Sequence, residues 1–413
     1  MVFSKACALG ACVLLLGGAR AFALDDLTLA RALDTALARN PELAASAFEL
    51  TAAQARLTQA RLRPNPEVSL ELENFGGDGA RRGTEALETT LVLSQVVELG
   101  GKRSARMAVA DSGFELADIE RRAHQLDLLA ETTRRFIDAA AARERLVFSR
   151  QAARLAAESF SAISQRVDAA RSPVAERSRA RIAVTRAQID LRQAERLARS
   201  TRYELAATFG DAEPQFAEVS ADLYGFASSL PFNAWFEKLA RNPELLRFAS
   251  DTRLRDAQLR LAQAQARPDL SVSIGVRRFQ DSGDAALVAA VSMPMAWGNR
   301  NQGAIAEARA QRAQSGAEQA AALNRLRSTL FALHSQAEAA RETALALRDD
   351  AVPQAREALS QTQAGYDVGR FSFLELASAQ AELLELQGAA IDAAADHHRL
   401  RAELERLTGE ATP

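Results

Sequence analysis

The sequence predicts a mainly helical fold with a small β part, written as a tandem duplication. Three observations lead there. The chain of 413 residues is rich in Ala, Leu, Arg, Glu and Gln, while aromatic residues make up only 6%, a composition of long helices rather than of a bulky globular core. The tetrapeptide Asn40-Pro41-Glu42-Leu43 returns 202 positions later as Asn242-Pro243-Glu244-Leu245. Residues 102–166 contain no proline, and residues 302–364 contain only Pro353. Charge narrows the field further. Charged residues are 25% of the chain and the formal net charge is −2, so neither disorder nor a nucleic-acid surface is indicated. Both cysteines, Cys7 and Cys12, fall at the N-terminus, which excludes a disulfide scaffold and a cysteine-ligated metal.

The elements follow in order. Lys5 precedes an apolar run over residues 6–18, and Ala21-Phe22-Ala23 stands before Leu24-Asp25-Asp26. That is the layout of a secretory signal peptide, residues 1–23, and the run is too short for a membrane anchor. Leu9-Gly10-Ala11-Cys12 loosely resembles a lipoprotein box, but the apolar run continues past Cys12 through Val13 to Leu16. The mature chain therefore starts near Leu24, carries no cysteine, and shifts from −2 to about −4 in charge as Lys5 and Arg20 leave. No later segment offers 18 consecutive apolar residues, so an exported chain of this kind is soluble or enters a membrane as strands.

The repeat extends beyond one tetrapeptide. Pro66-Glu67-Val68-Ser69 matches Pro268-Asp269-Leu270-Ser271 at the same offset, and Leu99-Gly100-Gly101-Lys102 matches Trp297-Gly298-Asn299-Arg300 at an offset of 198. The halves are residues 24–209 and 236–413. In each, a short helix ends at the Asn-Pro pair, where Asn serves as N-cap and Pro as first residue of a second helix. In the first half that helix runs to about Leu62, where Pro64 and Pro66 stop it. Val68-Ser69-Leu70-Glu71-Leu72-Glu73 then alternates strictly, a glycine-rich loop follows at 76–79, and 87–93 reads as a partner strand. In the second half 270–274 alternates too, with a loop near 281–284 and a strand over 287–291. One hairpin per half results, at about 67–98 and about 269–297.

Beyond the hairpins the helices become long, roughly 95 Å for the first if unbroken, and need lateral support. Heptad seams provide it. Leu323, Leu326, Leu330, Leu333, Ala337, Ala340, Ala344, Leu347 and Ala351 form one, and Leu376, Ala379, Leu383, Leu386, Ala390, Ala393, His397 and Leu400 the other. Short turns at 167–173 and 365–372 correspond at an offset of 200. Residues 210–235, with Pro214, Pro231, Phe216, Tyr224, Phe226, Phe232 and Trp235, break the helical pattern and read as a separate packing layer.

A strand with one apolar and one polar face suits a membrane barrel wall. Open edges do not survive in hydrocarbon, and closure takes at least about eight strands. One chain supplies four, so several chains must share a barrel. The competing reading is a soluble four-stranded sheet capping a helical bundle.

At this point the residues resemble a known family, the TolC-type outer-membrane efflux factors. The resemblance covers essentially the whole mature chain. It rests on the duplication, the Asn-Pro-Glu-Leu pair, and the turn Gly365-Tyr366-Asp367-Val368-Gly369. The run from Ser94 to Arg103 (SQVVELGGKR) further resembles the branch paired with heavy-metal pumps of the resistance-nodulation-division class, the cobalt–zinc–cadmium type. The resemblance implies a homotrimer whose shared twelve-stranded barrel spans the outer membrane above a periplasmic α-barrel. It also implies an equatorial belt at 210–235, and helix tips that meet a periplasmic adaptor and an inner-membrane pump. No cofactor is implied.

The same resemblance points to a gate at the second tip turn. Tyr366 and Glu375 match positions that close the pore, whereas Phe371 and Ser378 stand where the best-known pattern has an arginine and an aspartate. A gate resting more on apolar closure follows. Three copies of Glu375 around a threefold axis would repel one another and attract cations; the competing reading is a solvated helix face. Val368, Gly369, Asp168 and Ala169 are candidate adaptor contacts. Gly100, Gly101 and Gly298 mark the strand-to-helix junctions, where glycine permits a sharp redirection. Lys102, Arg103 and Arg300 begin helices, where the dipole disfavours cations, so a partner must offset them, anionic head groups being one candidate. His124, His334, His397 and His398 show no metal-site spacing. His397 falls on a seam, and Met293 and Met295 suit one face of a barrel wall. No catalytic cluster is visible. The rival functions are a soluble periplasmic coiled-coil adaptor, a channel for drugs or other small molecules, and an exported enzyme.

Overall fold

A computed structural model describes residues 26–409. The signal-peptide reading of 1–23 and the Cys12 box lie outside the described residues.

The first half begins with α1 (Leu29–Arg39), capped by the Thr28 side chain, and α2 (Pro41–Ala60). Strands β1 (Glu67–Glu73) and β2 (Glu88–Val97) follow, then α3 (Lys102–Asp168) and α4 (Val174–Ala207). The second half repeats that order with a shorter opening. It runs through α5 (Phe232–Lys238), α6 (Pro243–Gln265), β3 (Leu270–Phe279), β4 (Ala285–Ser292), α7 (Gln302–Ala346), α8 (Val352–Asp367) and α9 (Phe373–Leu407). The 67 residues of α3 span roughly 100 Å.

The repeated asparagine does two jobs in each half. Its side-chain oxygen caps the next helix, accepting from Leu43 N at 2.9 Å and from Leu245 N at 3.1 Å. Its amide nitrogen reaches the end of the last helix of the same half, donating from Asn40 to Thr208 O at 3.0 Å and from Asn242 to Leu407 O at 2.7 Å. The half is thus closed on itself by one side chain. Gly210 and Gly409 complete the closure, with φ of 79° and 69°. A Cβ at these positions would meet Pro41 Cδ at 2.9 Å and Arg241 O at 2.7 Å, so glycine answers both the left-handed backbone and the close approach.

Between α7 and α8 the chain winds one π-helical turn, Leu347–Ala351. Pro353 is the physical cause. It lacks the N–H that would bond Asp349 O, and its ring crowds that carbonyl, so the helix widens by a residue. About half of the seam positions are buried and nearly all the others half-buried. Leu326, Leu330, Ala337 and Ala344 of the first are in the core, but Leu323 is 44% exposed and Ala322 takes its place. A straight helix of 3.6 residues per turn drifts off a 3.5-residue seam, and the buried positions Ala308, Ser315, Ala322 and Leu330 show that drift.

Above mid-length the helices stand side by side in the order α2, α3, α6, α7; below it the order is α4, α3, α9, α8. The principal core lies where the two sets meet. It gathers Phe136, Ile137 and Ala139 to Ala141 of α3, Leu205 and Ala206 of α4, Ile391, Ala394 and Ala395 of α9, and Phe216, Val219 and Leu223 of the segment 211–231. The aromatics of 210–235 do not pack as one layer. Phe216 joins this core, whereas Trp235 sits with Leu330, Ala337 and Leu404 in another, because each ring buries more surface against a helix than against its neighbours in a short segment.

The four strands form one antiparallel sheet in the order β1-β2-β3-β4. The two hairpins are joined by a β2–β3 ladder running from Glu88 opposite Phe279 to Val97 opposite Leu270. No helix among the described residues is long and apolar enough to cross a membrane.

Candidate functional site

Functional geometry is distributed over three levels: the sheet, the junction beneath it, and the helix tips.

The register sorts the sheet into two chemistries. Val68, Leu70 and Leu72 of β1 align with Leu93, Leu91 and Thr89, then with Ile274, Val276 and Arg278, then with Ala289, Leu287 and Ala285. This face is apolar and open, with Val68 67% and Leu287 81% exposed. The opposite face carries Glu67, Ser69, Glu71, Glu73, Glu88, Thr90 and Arg277. Arg277 holds Glu73 at 2.8 Å and Glu88 at 2.9 Å, and donates to Thr90 Oγ1 at 2.9 Å. Glu67 and Glu71 form no ion pair among the described residues. Among the described residues, the outer edges of β1 and β4 carry no further strand.

At the junction, Gly100 and Gly101 both adopt left-handed backbone, with φ of 73° and 74°. The second-half redirection falls on Asn301 (φ 57°) and not on Gly298, which has open space around it. An Asn tolerates that conformation, so no glycine is needed there. Two of the cations in the first turns of α3, Lys102 and Arg106, are offset from within the chain, whereas Arg103 keeps a buried Nε without a hydrogen-bond partner. Asp269 accepts from Leu99 N at 3.0 Å and pairs with Lys102 at 2.8 Å, while Arg106 grips Glu98 and also donates to Leu62 O at 3.3 Å. Lys102 therefore needs no lipid head group. Burial works to raise the Asp269 pKa, yet Lys102 and the Leu99 N–H hold it below the usual value. The hydrogen bond from Arg106 lowers that of Glu98.

The tips lie in the turns 169–173 and 368–372. Tyr366 is buried beside Ile163, Val167, Ala180, Phe373 and Leu376. The Arg166 guanidinium stands 4.5 Å from its ring centroid and donates to its carbonyl at 3.3 Å. Its hydroxyl donates to Glu176 Oε2 at 3.3 Å, and burial raises its pKa. Within one copy, then, Tyr366 bolts the second turn to α3 and α4. Phe371 lies across Gly365, where a Cβ would come within 2.1 Å of the ring, and Arg370 N donates to Gly365 O at 2.8 Å. Glu375 closes a capping box, its Oε2 accepting from Ser372 N at 2.7 Å and Ser372 Oγ at 2.8 Å. The backbone hydrogen bond from Ser372 lowers its pKa. Asp168 pairs with Arg177 at 2.5 Å, Ala169 caps α3, and Gly369 turns at φ 80°. Val368, Val174 and Leu374 present exposed apolar side chains.

Arg166, Glu176, Asp269 and Arg277 were not singled out from the sequence. One signal existed for Arg166: it occupies the position matching Tyr366 at the 200-residue offset of the turns. Among the described residues no group of three or more His, Cys, Asp or Glu side chains is placed to hold a metal ion.

The model of the family "Outer membrane efflux protein" matches this chain twice, over residues 32–211 and 237–410. The chain belongs to that family. It is a family of the outer membrane. Among curated relatives, the cobalt-zinc-cadmium resistance protein CzcC of Cupriavidus metallidurans is 28% identical over 387 residues, covering 94% of this chain and 91% of that one. The nickel and cobalt resistance protein CnrC of the same organism is 28% identical over 294 residues, 71% of this chain and 69% of that one. Among solved structures, CusC superposes with a TM-score of 0.78 at 16% identity, covering 94% and 93% of the two chains. The MtrE outer membrane channel of Neisseria gonorrhoeae superposes with a TM-score of 0.76 at 18% identity, covering 93% and 89%. These likenesses carry the fold.

Proposed function

We propose that three copies of this chain form an exit duct that carries divalent heavy-metal cations across the periplasm and outer membrane. The observation that carries the reading is the sheet. It has an exposed apolar face, a polar face, and two edges unpaired among the described residues, and unpaired edges cannot stand in hydrocarbon. Two copies would close eight strands and three would close twelve; the resemblance to TolC-type factors favours three. Metal as cargo is supported by the names of the CzcC and CnrC relatives and by the carboxylates on the lumenal face of the sheet.

In this reading the duct is passive. A resistance-nodulation-division pump in the inner membrane supplies the energy and a periplasmic adaptor seals the joint. Exposed Val368 and Gly369 of the second turn, with Asp168 and Ala169 of the first, form the adaptor contact. The gate is the second turn, with Phe371 and Glu375 facing the axis and Tyr366 as the lock that holds each turn shut. The apolar exposure of the sheet argues against a soluble adaptor.

The test is the protein mass of the particle extracted in detergent, by light scattering with the detergent subtracted. A mass near three chains supports the shared barrel, whereas a monomer recovered without detergent removes it. Cargo is tested separately: deletion should lower zinc, cobalt or cadmium tolerance, and unchanged tolerance in a strain lacking other efflux channels would remove metal as cargo.

A further inference from the structure

The segment 211–231 joins the halves and crosses the helices at mid-length, and two adjacent histidines of α9 hold it there. Phe226 meets His397 edge-on, with centroids 5.1 Å apart and planes at 89°, and stacks on His398 at 5.7 Å and 17°. His398 Nε2 lies 3.0 Å from Leu223 O of the same segment. His397 is only 4% exposed, and its Nδ1 lies 2.9 Å from Ala337 O of α7. A carbonyl only accepts, so these two nitrogens carry the protons. That leaves His397 Nε2 as a bare lone pair, buried and without a hydrogen-bond partner.

The His397 ring is thus held neutral by geometry. A second proton on His397 would bury a cation that has no acceptor at Nε2. The charges facing the pair do not reverse this. Arg401 of α9 and Arg341 of α7 oppose protonation of His397, Glu338 of α7 favours it, and Asp222 of the linking segment favours it at His398. The α3 wall near His398 is Thr133, Phe136, Ile137 and Ala140, none of them titratable. From the segment, Tyr224 faces Arg348 of the π turn, which also donates to Tyr224 O at 3.3 Å. A cavity of about 350 Å³ borders His398, Asp222, Arg401 and Glu405 and gives water a place to enter.

We propose that His397 and His398 form a proton-operated latch on the belt: neutral rings hold Leu223 and Phe226 against α9, and protonation in an acidified periplasm releases the segment. The sign follows from linkage. Burial lowers both pKa values below the ordinary 6.5, so the latched form binds fewer protons than the released form. Latching is complete above pH 6.5 and weakens as pH falls from there toward the lowered values. The same segment tethers the π turn through Arg348, directly before α8, which leads to the second tip. Release therefore frees the hinge above the tip. The latch goes beyond the duct reading and does not depend on cargo.

The test is amide hydrogen exchange of the full chain in detergent at pH 7.5 and 5.5, corrected for intrinsic rates. Protection of 214–231 should fall at pH 5.5 by up to about tenfold for each titrating histidine, since pH 5.5 lies one unit below the released value of 6.5, while 270–292 stays protected. His397→Leu should reduce the pH dependence to the share carried by His398. His398→Gln, which keeps a donor for Leu223 O and cannot titrate, should reduce it and serves if the first variant fails to fold. Protection of 214–231 that is the same at both pH values overturns the latch. So does an undiminished acid loss in the variant that folds.

Discussion

The side chains that matter most here join positions that are remote in sequence. Asn242 caps α6 and satisfies Leu407 O at the end of α9, and it is 3% exposed. Asn242→Ala removes a cap and strands a buried carbonyl, so it should cost about 1–3 kcal/mol, read as a lower denaturation midpoint at unchanged slope. Asn40→Ala removes the same two bonds in the first half and should show a loss of the same order. Glu375 presents a sharper choice. Its carboxylate is engaged by Ser372, so Glu375→Ala should fray the first turn of α9, seen as faster amide exchange over 373–376. If Glu375 also faces the pore, the same variant shifts cation preference in a planar bilayer; an unchanged preference would leave it as a cap alone.

At the scale of elements, the sheet makes the clearest prediction, because adjacent residues of one strand meet opposite media. Ile274 lies mid-row on the apolar face and Ser273 on the polar face. Ile274→Lys should cost about 2–4 kcal/mol of insertion free energy, and Ser273→Lys should be tolerated. Both are checked by the yield of oligomer recovered from outer membranes. Equal yields would mean that the apolar face does not meet lipid. The helical elements show where local pattern and packing diverge: one proline opens the π turn, and drift off the heptad exposes Leu323 while burying Ala322.

For the whole molecule, the duct reading places Glu67 and Glu71 on the lumenal wall, two carboxylates per copy that no cation among the described residues neutralises. Conductance should therefore favour cations. The Glu67→Gln, Glu71→Gln double variant should lower that preference, and the difference should shrink near 1 M salt, where the screening length is about 3 Å. A preference that is unchanged at low salt would place the selectivity elsewhere, at the tips or along the helices.

Sequence by itself determined the duplication, both hairpins, the lengths of the long helices and the two tip turns. These are written in short-range chemistry: an Asn before a Pro, a period of two or of seven, a glycine where φ turns positive. The packing faces were legible for the same reason, as the burial of His397 with Leu376, Leu383 and Ala390 of its seam shows. What only the tertiary structure decided is which faces meet. Arg166 reaches Tyr366, Asp269 neutralises Lys102, and Phe226 lies against His397. Each pair joins residues more than 160 positions apart. Periodicity states that a helix has an apolar side, but not what that side will touch. The site residues were accordingly only half legible: the turns could be found, and the Ser372-to-Glu375 spacing carries the capping-box signature, while the bolt on Tyr366 had to be seen in the fold.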